Sequence, residues 1–194
     1  MKFTELINPQ TAIESFDRRK TIVFQEKKRI YRGQNPNGKA VLRLHIDKGL
    51  INSYDKKCDF SVILPPEPAN PQYFKLENKN SKKKNGIGIE TENDEFDLVT
   101  LQKLYSESIC FLIETKGRDI ATATEQIKNT ISVMGNLLGL KKFVGRIVAS
   151  QCRTQEMNTP QYNELLRYLM SIKSKYDIPY EPLKASSNEL EENI

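Results

Sequence analysis

The sequence predicts an α/β fold, with a mixed central β-sheet flanked by helices. Three observations carry that prediction. Short runs of branched and aromatic residues recur early in the chain, at Thr21–Phe24, Val41–Ile46 and Cys58–Leu64, separated by turn residues. An uninterrupted apolar run, Ile109–Ile113, has the character of a strand covered on both faces. Two later segments, 119–138 and one opening at Thr159-Pro160, carry apolar residues at helical spacing, with the branched run Phe143–Ala149 between them. The order β-β-β-α-β-α takes the chain across from one strand to the next through a helix.

In chain order, residues 9–17 predict a short first helix, because Pro9 stands early and Ala12, Ile13 and Phe16 are apolar. Thr21–Phe24 follows as a strand, and Gly33-Gln34-Asn35-Pro36-Asn37-Gly38 is turn chemistry. Val41, Leu42, Leu44 and Ile46 lead to a turn at Asp47-Lys48-Gly49. The strand Cys58–Leu64 is stopped by Pro65-Pro66. Residues 65–100 hold four prolines, a lysine run (Lys79, Lys82, Lys83, Lys84) and an acidic run (Glu90, Glu92, Asp94, Glu95, Asp97); a short helix is expected within 95–104. In the long helix Ile120, Ala123, Ile127, Ile131, Met134, Leu137 and Leu138 share a face, and Gly139 is its stop. Thr159 caps the last helix, Pro160 fits its first turn, and Leu165, Leu166, Leu169 and Ile172 form its apolar face.

These segments organise into one domain over residues 1–180, with 65–107 as an insertion or long excursion and 181–194 as a polar acidic tail. A chain of 194 residues is long enough for one α/β domain with a sizeable core. No apolar stretch approaches the roughly 18–20 residues that span a membrane, and Met1-Lys2-Phe3-Thr4-Glu5 does not open a signal peptide. Three cysteines, Cys58, Cys110 and Cys152, are an odd number without close pairs, which argues against a disulfide framework and a zinc site. The expected compartment is a reducing cytoplasm. A formal charge of +5 permits a polyanionic partner without demanding one. The charge runs read most simply as solvated loop or tail.

The chemistry on offer is narrow. His45 is the only histidine, so a Ser-His-Asp triad would have to be built around it, and no Gly-x-Ser-x-Gly elbow exists. Mid-strand among apolar neighbours, His45 reads as structural. Neither phosphate-cradling glycine motif is present. Carboxylates and lysines remain. Glu26-Lys27-Lys28 and Glu77-Asn78-Lys79 sit in polar surroundings and read as solvated faces. Glu114-Thr115-Lys116 differs, because the apolar run Cys110–Ile113 precedes it and Gly117 ends it. On a strand Glu114 and Lys116 project from one face. Charges brought there are costly unless something pairs with them. A hydrated metal ion and a phosphate would be such partners. Asp59, at the start of another strand, is a second carboxylate, and magnesium commonly takes one or two carboxylates plus waters and substrate phosphate. An ordinary salt bridge between Asp59 and Lys116 satisfies the same spacing.

At Lys57-Cys58-Asp59-Phe60, Phe111-Leu112-Ile113-Glu114-Thr115-Lys116-Gly117 and Glu125-Gln126-Ile127 the chain resembles the PD-(D/E)xK nuclease superfamily. The lead-in Leu44–Ile51 is similar to small uncharacterised bacterial members. The resemblance spans about Val41 to Ser150 and implies a restriction-endonuclease-like fold with a long insertion between the two catalytic strands. It implies a Mg²⁺ site, with Mn²⁺ as substitute, held by Asp59 and Glu114, with Lys116 as the catalytic lysine and Gln126 facing the site from the helix. Cys58 stands where the family often has proline, and the gap from Asp59 to Glu114 is longer than the usual hairpin. Glu14 is the natural candidate for an acidic residue from the first helix. The implied activity is phosphodiester hydrolysis, most simply by a DNA endonuclease that defends against foreign DNA. Its implied partners are DNA, a second copy of the chain, or a separately encoded protein, and no membrane. The alternative is an inactive nuclease-fold module that binds nucleic acid or a protein.

Overall fold

The computed structural model describes residues 13–17, 19–39, 41–46, 57–66, 105–152 and 154–194. Among these, two sheets form. The larger has six strands in the order β1 (Ile13–Asp17), β4 (Val41–His45), β5 (Phe60–Leu64), β6 (Ile109–Lys116), β7 (Lys142–Ala149) and β8 (Leu183–Ser187). Pairing is antiparallel from β1 to β6, then parallel through β7 and β8. The smaller has β2 (Thr21–Glu26) and β3 (Arg29–Gln34) as an antiparallel hairpin, with β9 (Glu189–Asn193) parallel to β3. The helices are α1 (Ile120–Leu138), α2 (Thr154–Met157) and α3 (Pro160–Tyr176). The chain is therefore α/β, as its sequence predicts. No helix among the described residues is long and apolar enough to cross a membrane.

The parallel step from β6 to β7 needs a crossover, and α1 supplies it. Asp119 caps its start, its side chain accepting from the Thr122 amide at 2.9 Å. Gly139 ends it at φ 69°, a left-handed conformation that glycine adopts without a Cβ penalty. Ile120, Ala123, Ile127, Ile131, Met134 and Leu138 are buried, so one stripe of α1 faces the sheet. Helix α3 starts as its residues dictate, with Thr159 as cap and Pro160 in the first turn, and buries Tyr162, Leu165, Leu169 and Ile172. The two long helices contact each other and both contact β7, so they cover one face.

Side-chain parity assigns the two faces of β6 and β7. A methyl group on Gly145 would lie 3.3 Å from Leu169 Cδ1 and 3.6 Å from Ile127 Cδ1, so this position faces the helices. Arg146, one residue on, reaches the other way to Glu192 on β9. Arg146 is in register with Ile113, and Ile147 with Glu114. Hence Phe111, Ile113 and Thr115 face the smaller sheet, while Leu112, Glu114 and Lys116 face the helix side. Cover on both faces is why Cys110–Ile113 is continuously apolar: each of these residues is 0% exposed.

Three segments differ from their sequence reading. Residues 13–17 form strand β1 instead of part of a helix; a ladder to Val41–Leu44 satisfies their backbone, so tertiary pairing overrides the weak helical spacing. Glu14 therefore lies on a strand. Gly33 and Gln34 belong to β3, and the turn shrinks to Asn35–Gly38, where the Asn35 side chain bridges Arg19 O and Lys39 O at 3.1 and 2.8 Å. Segment 181–194, read as a tail, carries β8 and β9; Leu183, Leu190 and Ile194 are buried among its charges. The Asp47–Gly49 turn, the lysine and acidic runs and the helix expected within 95–104 lie outside the described residues.

Candidate active site

Glu114 and Lys116 stand at the C-terminal end of β6, where the chain leaves the sheet for α1. Open sheets commonly present ligands at the carboxyl ends of parallel strands. The antiparallel β5 begins beside this end, because Phe60 pairs with Ile113, and that places Asp59 next to Glu114. The Asp59 amide donates to Glu114 Oε2 at 3.1 Å. Lys116 Nζ lies 3.3 Å from Glu114 Oε1. The three residues singled out in the sequence are thus brought together, and the intervening segment does not separate them.

The Glu114 side chain is 0% exposed and that of Lys116 29%. The Lys116 ammonium is the partner that Glu114 Oε1 meets among the described residues, as an ion pair and not as a close hydrogen bond. Burial first, and the negative charge of Asp59 second, push the Glu114 carboxyl up to about 8, with Lys116 offsetting only part of the rise. Such a carboxyl holds its proton at neutral pH unless a cation arrives.

Asp59 is turned toward Thr115. Its Oδ2 accepts from the Thr115 amide at 2.9 Å and from the Thr115 hydroxyl at 2.5 Å. Helix α1 fixes the residues before Asp59. Gln126 donates from Nε2 to Lys57 O at 2.7 Å, and the Cys58 amide donates to Thr130 Oγ1 at 2.9 Å. Gln126 therefore holds the segment that carries Asp59, and its own Oε1 is buried without a partner among the described residues. Cys58 is no nucleophile: burial raises its thiol well above the ordinary value, and the nearby carboxylates add to this.

Sequence reasoning missed Glu26 and Thr115. Glu26 lies on the solvated face its sequence suggests, with its side chain half-exposed, yet it also reaches the site. Its Oε2 lies 2.6 Å from the Thr115 hydroxyl and 2.7 Å from Arg29 Nη2. Lys27-Lys28 is the two-residue connection of the β2–β3 hairpin, with Lys27 at φ 55°. That turn usually announces itself by Asn-Gly or a relative, and here it does not. Alternating burial of Ile22 and Phe24 was the available signal.

No three His, Cys, Asp or Glu side chains converge as a ready-made metal cluster among the described residues. The two adjacent carboxylates, Asp59 and Glu114, suit a cation that keeps most of its waters, as Mg²⁺ does. A groove of about 710 Å³ between α1 and α3, lined by Lys128, Ile131, Tyr168 and Tyr176 among others, shares no residue with this site. Compared with protein-family models, with curated proteins and with solved structures, the chain matches none.

Proposed function

We propose that the protein is a metal-dependent nuclease of restriction-endonuclease-like fold that hydrolyses phosphodiester bonds in DNA. The observation that carries this reading is Glu114: a fully buried carboxylate bonded to the Asp59 backbone through Oε2 and met at Oε1 by Lys116 at 3.3 Å, with Asp59 beside it. Asp59 and Glu114 would hold Mg²⁺ or Mn²⁺. When bound, the ion would polarise a phosphoryl oxygen and make water a better nucleophile.

The chain's own residues divide the remaining work. Gln126 and Thr130 keep the backbone before Asp59 in place, and Thr115 fixes the Asp59 carboxylate. Lys116, partly exposed at the strand end, stabilises charge growing on the phosphate and orients the attacking water. Lys27 and Lys28 are exposed at the tip of the hairpin whose Glu26 touches Thr115, and they add positive charge at this edge for a polyanion.

Purified protein incubated with plasmid and Mg²⁺ or Mn²⁺ is expected to cut it. Lys116→Ala should lower the rate about 10²–10³-fold, as loss of one preorganised charge-stabilising group does, with an unchanged circular dichroism spectrum. Undiminished cutting by Lys116→Ala sinks the assignment. A wild-type protein that retains plasmid in a gel shift without ever cutting it supports the inactive binding module instead.

A further inference from the structure

We propose that Glu26, on the hairpin of the smaller sheet, is a positioning residue for Asp59 and acts through the Thr115 hydroxyl. This rests on the metal-site reading above. The Glu26 and Asp59 carboxylates approach one oxygen, Thr115 Oγ1, at 2.6 and 2.5 Å. A threonine hydroxyl has a single proton, so it serves the two carboxylates by turns and is held in one rotamer by both. Arg29 keeps Glu26 in place from behind, through Nη2 to Oε2 at 2.7 Å and Nε to the Glu26 carbonyl at 3.4 Å. The result is a continuous polar chain, Arg29–Glu26–Thr115–Asp59–Glu114–Lys116, in which Glu26 and Asp59 share the one Thr115 hydroxyl proton and the last link is an ion pair.

Its consequence is geometric. The Thr115 amide and hydroxyl converge on one oxygen of Asp59, Oδ2, which leaves the orientation of Oδ1 determined by that clamp. Remove Glu26 and the Thr115 side chain loses its anchor from the smaller sheet, so its rotamer is held from the Asp59 side alone. Partners behind metal ligands typically govern affinity by 10–100-fold.

The test is Mn²⁺ binding by titration calorimetry on the full chain, alongside thermal melting in the absence of metal. Glu26→Ala and Thr115→Val should weaken Mn²⁺ about 10–100-fold, and Thr115→Ser, which keeps the hydroxyl, should bind like wild type. If Glu26→Ala fails to fold, Glu26→Gln keeps an acceptor for Arg29 and is read in its place. Wild-type affinity in the Glu26 and Thr115→Val variants overturns this inference and leaves the metal site standing. Affinity that falls in step with melting temperature, in Thr115→Ser as well, overturns it in favour of a structural role. Failure of the wild type to bind Mn²⁺ removes the metal reading and this inference together.

Discussion

Glu114→Gln is expected to melt at a higher temperature than the wild-type protein above about pH 8, and to lose DNA cleavage. Both effects come from one group. The folded chain raises the Glu114 carboxyl from 4.5 to about 8, chiefly by burial. Between those values the native state holds a proton that the unfolded chain has released, so native stability falls as pH rises. The contribution is full below pH 4.5, declines through the window and is gone above about pH 8. At about 1.4 kcal/mol per pKa unit, the loss is on the order of 4–5 kcal/mol. Glutamine has the same shape and no charge to bury, so the variant should not show this decline. Melting curves for both proteins from pH 4 to 9 read the prediction directly. Parallel curves would show that Glu114 ionises without penalty.

Metal should reverse the ranking. A cation that binds only the folded, ionised site stabilises it by mass action and expels the proton. Mn²⁺ should therefore raise the melting temperature of the wild type at pH 8 and leave Glu114→Gln unmoved. By the same linkage, wild-type Mn²⁺ affinity is expected to climb with pH as Glu114 gives up its proton near 8. A site that is least stable when empty and ionised is the usual trade between stability and function.

The residues at the centre of the site were legible because they interrupt a pattern. Glu114 and Lys116 stand out only against the apolar run before them, and a strand covered on both faces writes that run plainly. Helix α1 was equally legible, since its apolar stripe and glycine stop agree. Glu26 was not. Its contact to Thr115 spans 89 positions and joins two different sheets, and nothing local in Glu26-Lys27-Lys28 separates a hairpin tip from a solvated face. The strands β8 and β9 were hidden for a related reason. Their sequence is polar, and they are held by parallel pairing to distant strands, with few apolar residues of their own. Parity within the triplet was readable and went unused: if Glu114 and Lys116 share a face, Thr115 must look the other way, toward whatever covers it.

Glu192→Ala is expected to cost about 3–5 kcal/mol, the range for removing one member of a buried ion pair. Glu192 lies on β9 and pairs with Arg146 on β7, whose side chain is 0% exposed. Arg146 Nη2 donates to Glu192 Oε2 at 2.8 Å, and Nε to Oε1 completes a bidentate pair. Glu192 also accepts from the Tyr31 hydroxyl at 3.0 Å and lies 3.3 Å from Lys184 Nζ. Truncation would leave a guanidinium buried over the Phe111 ring, with the backbone carbonyls of Gly145 and Glu181 as its remaining acceptors among the described residues. At 2–4 °C per kcal/mol for a chain of this size, the melting temperature should drop by roughly 10 °C. Replacing both partners, Arg146→Met with Glu192→Leu, should recover most of that loss, because no charge is then stranded. The pair also holds the smaller sheet against the larger one, and that sheet carries Glu26 to the site. Glu192→Ala should therefore weaken Mn²⁺ binding as well as stability, whereas the double replacement should restore both. Stability regained without affinity would mean that the two sheets can be rejoined in a register that no longer brings the hairpin to Thr115.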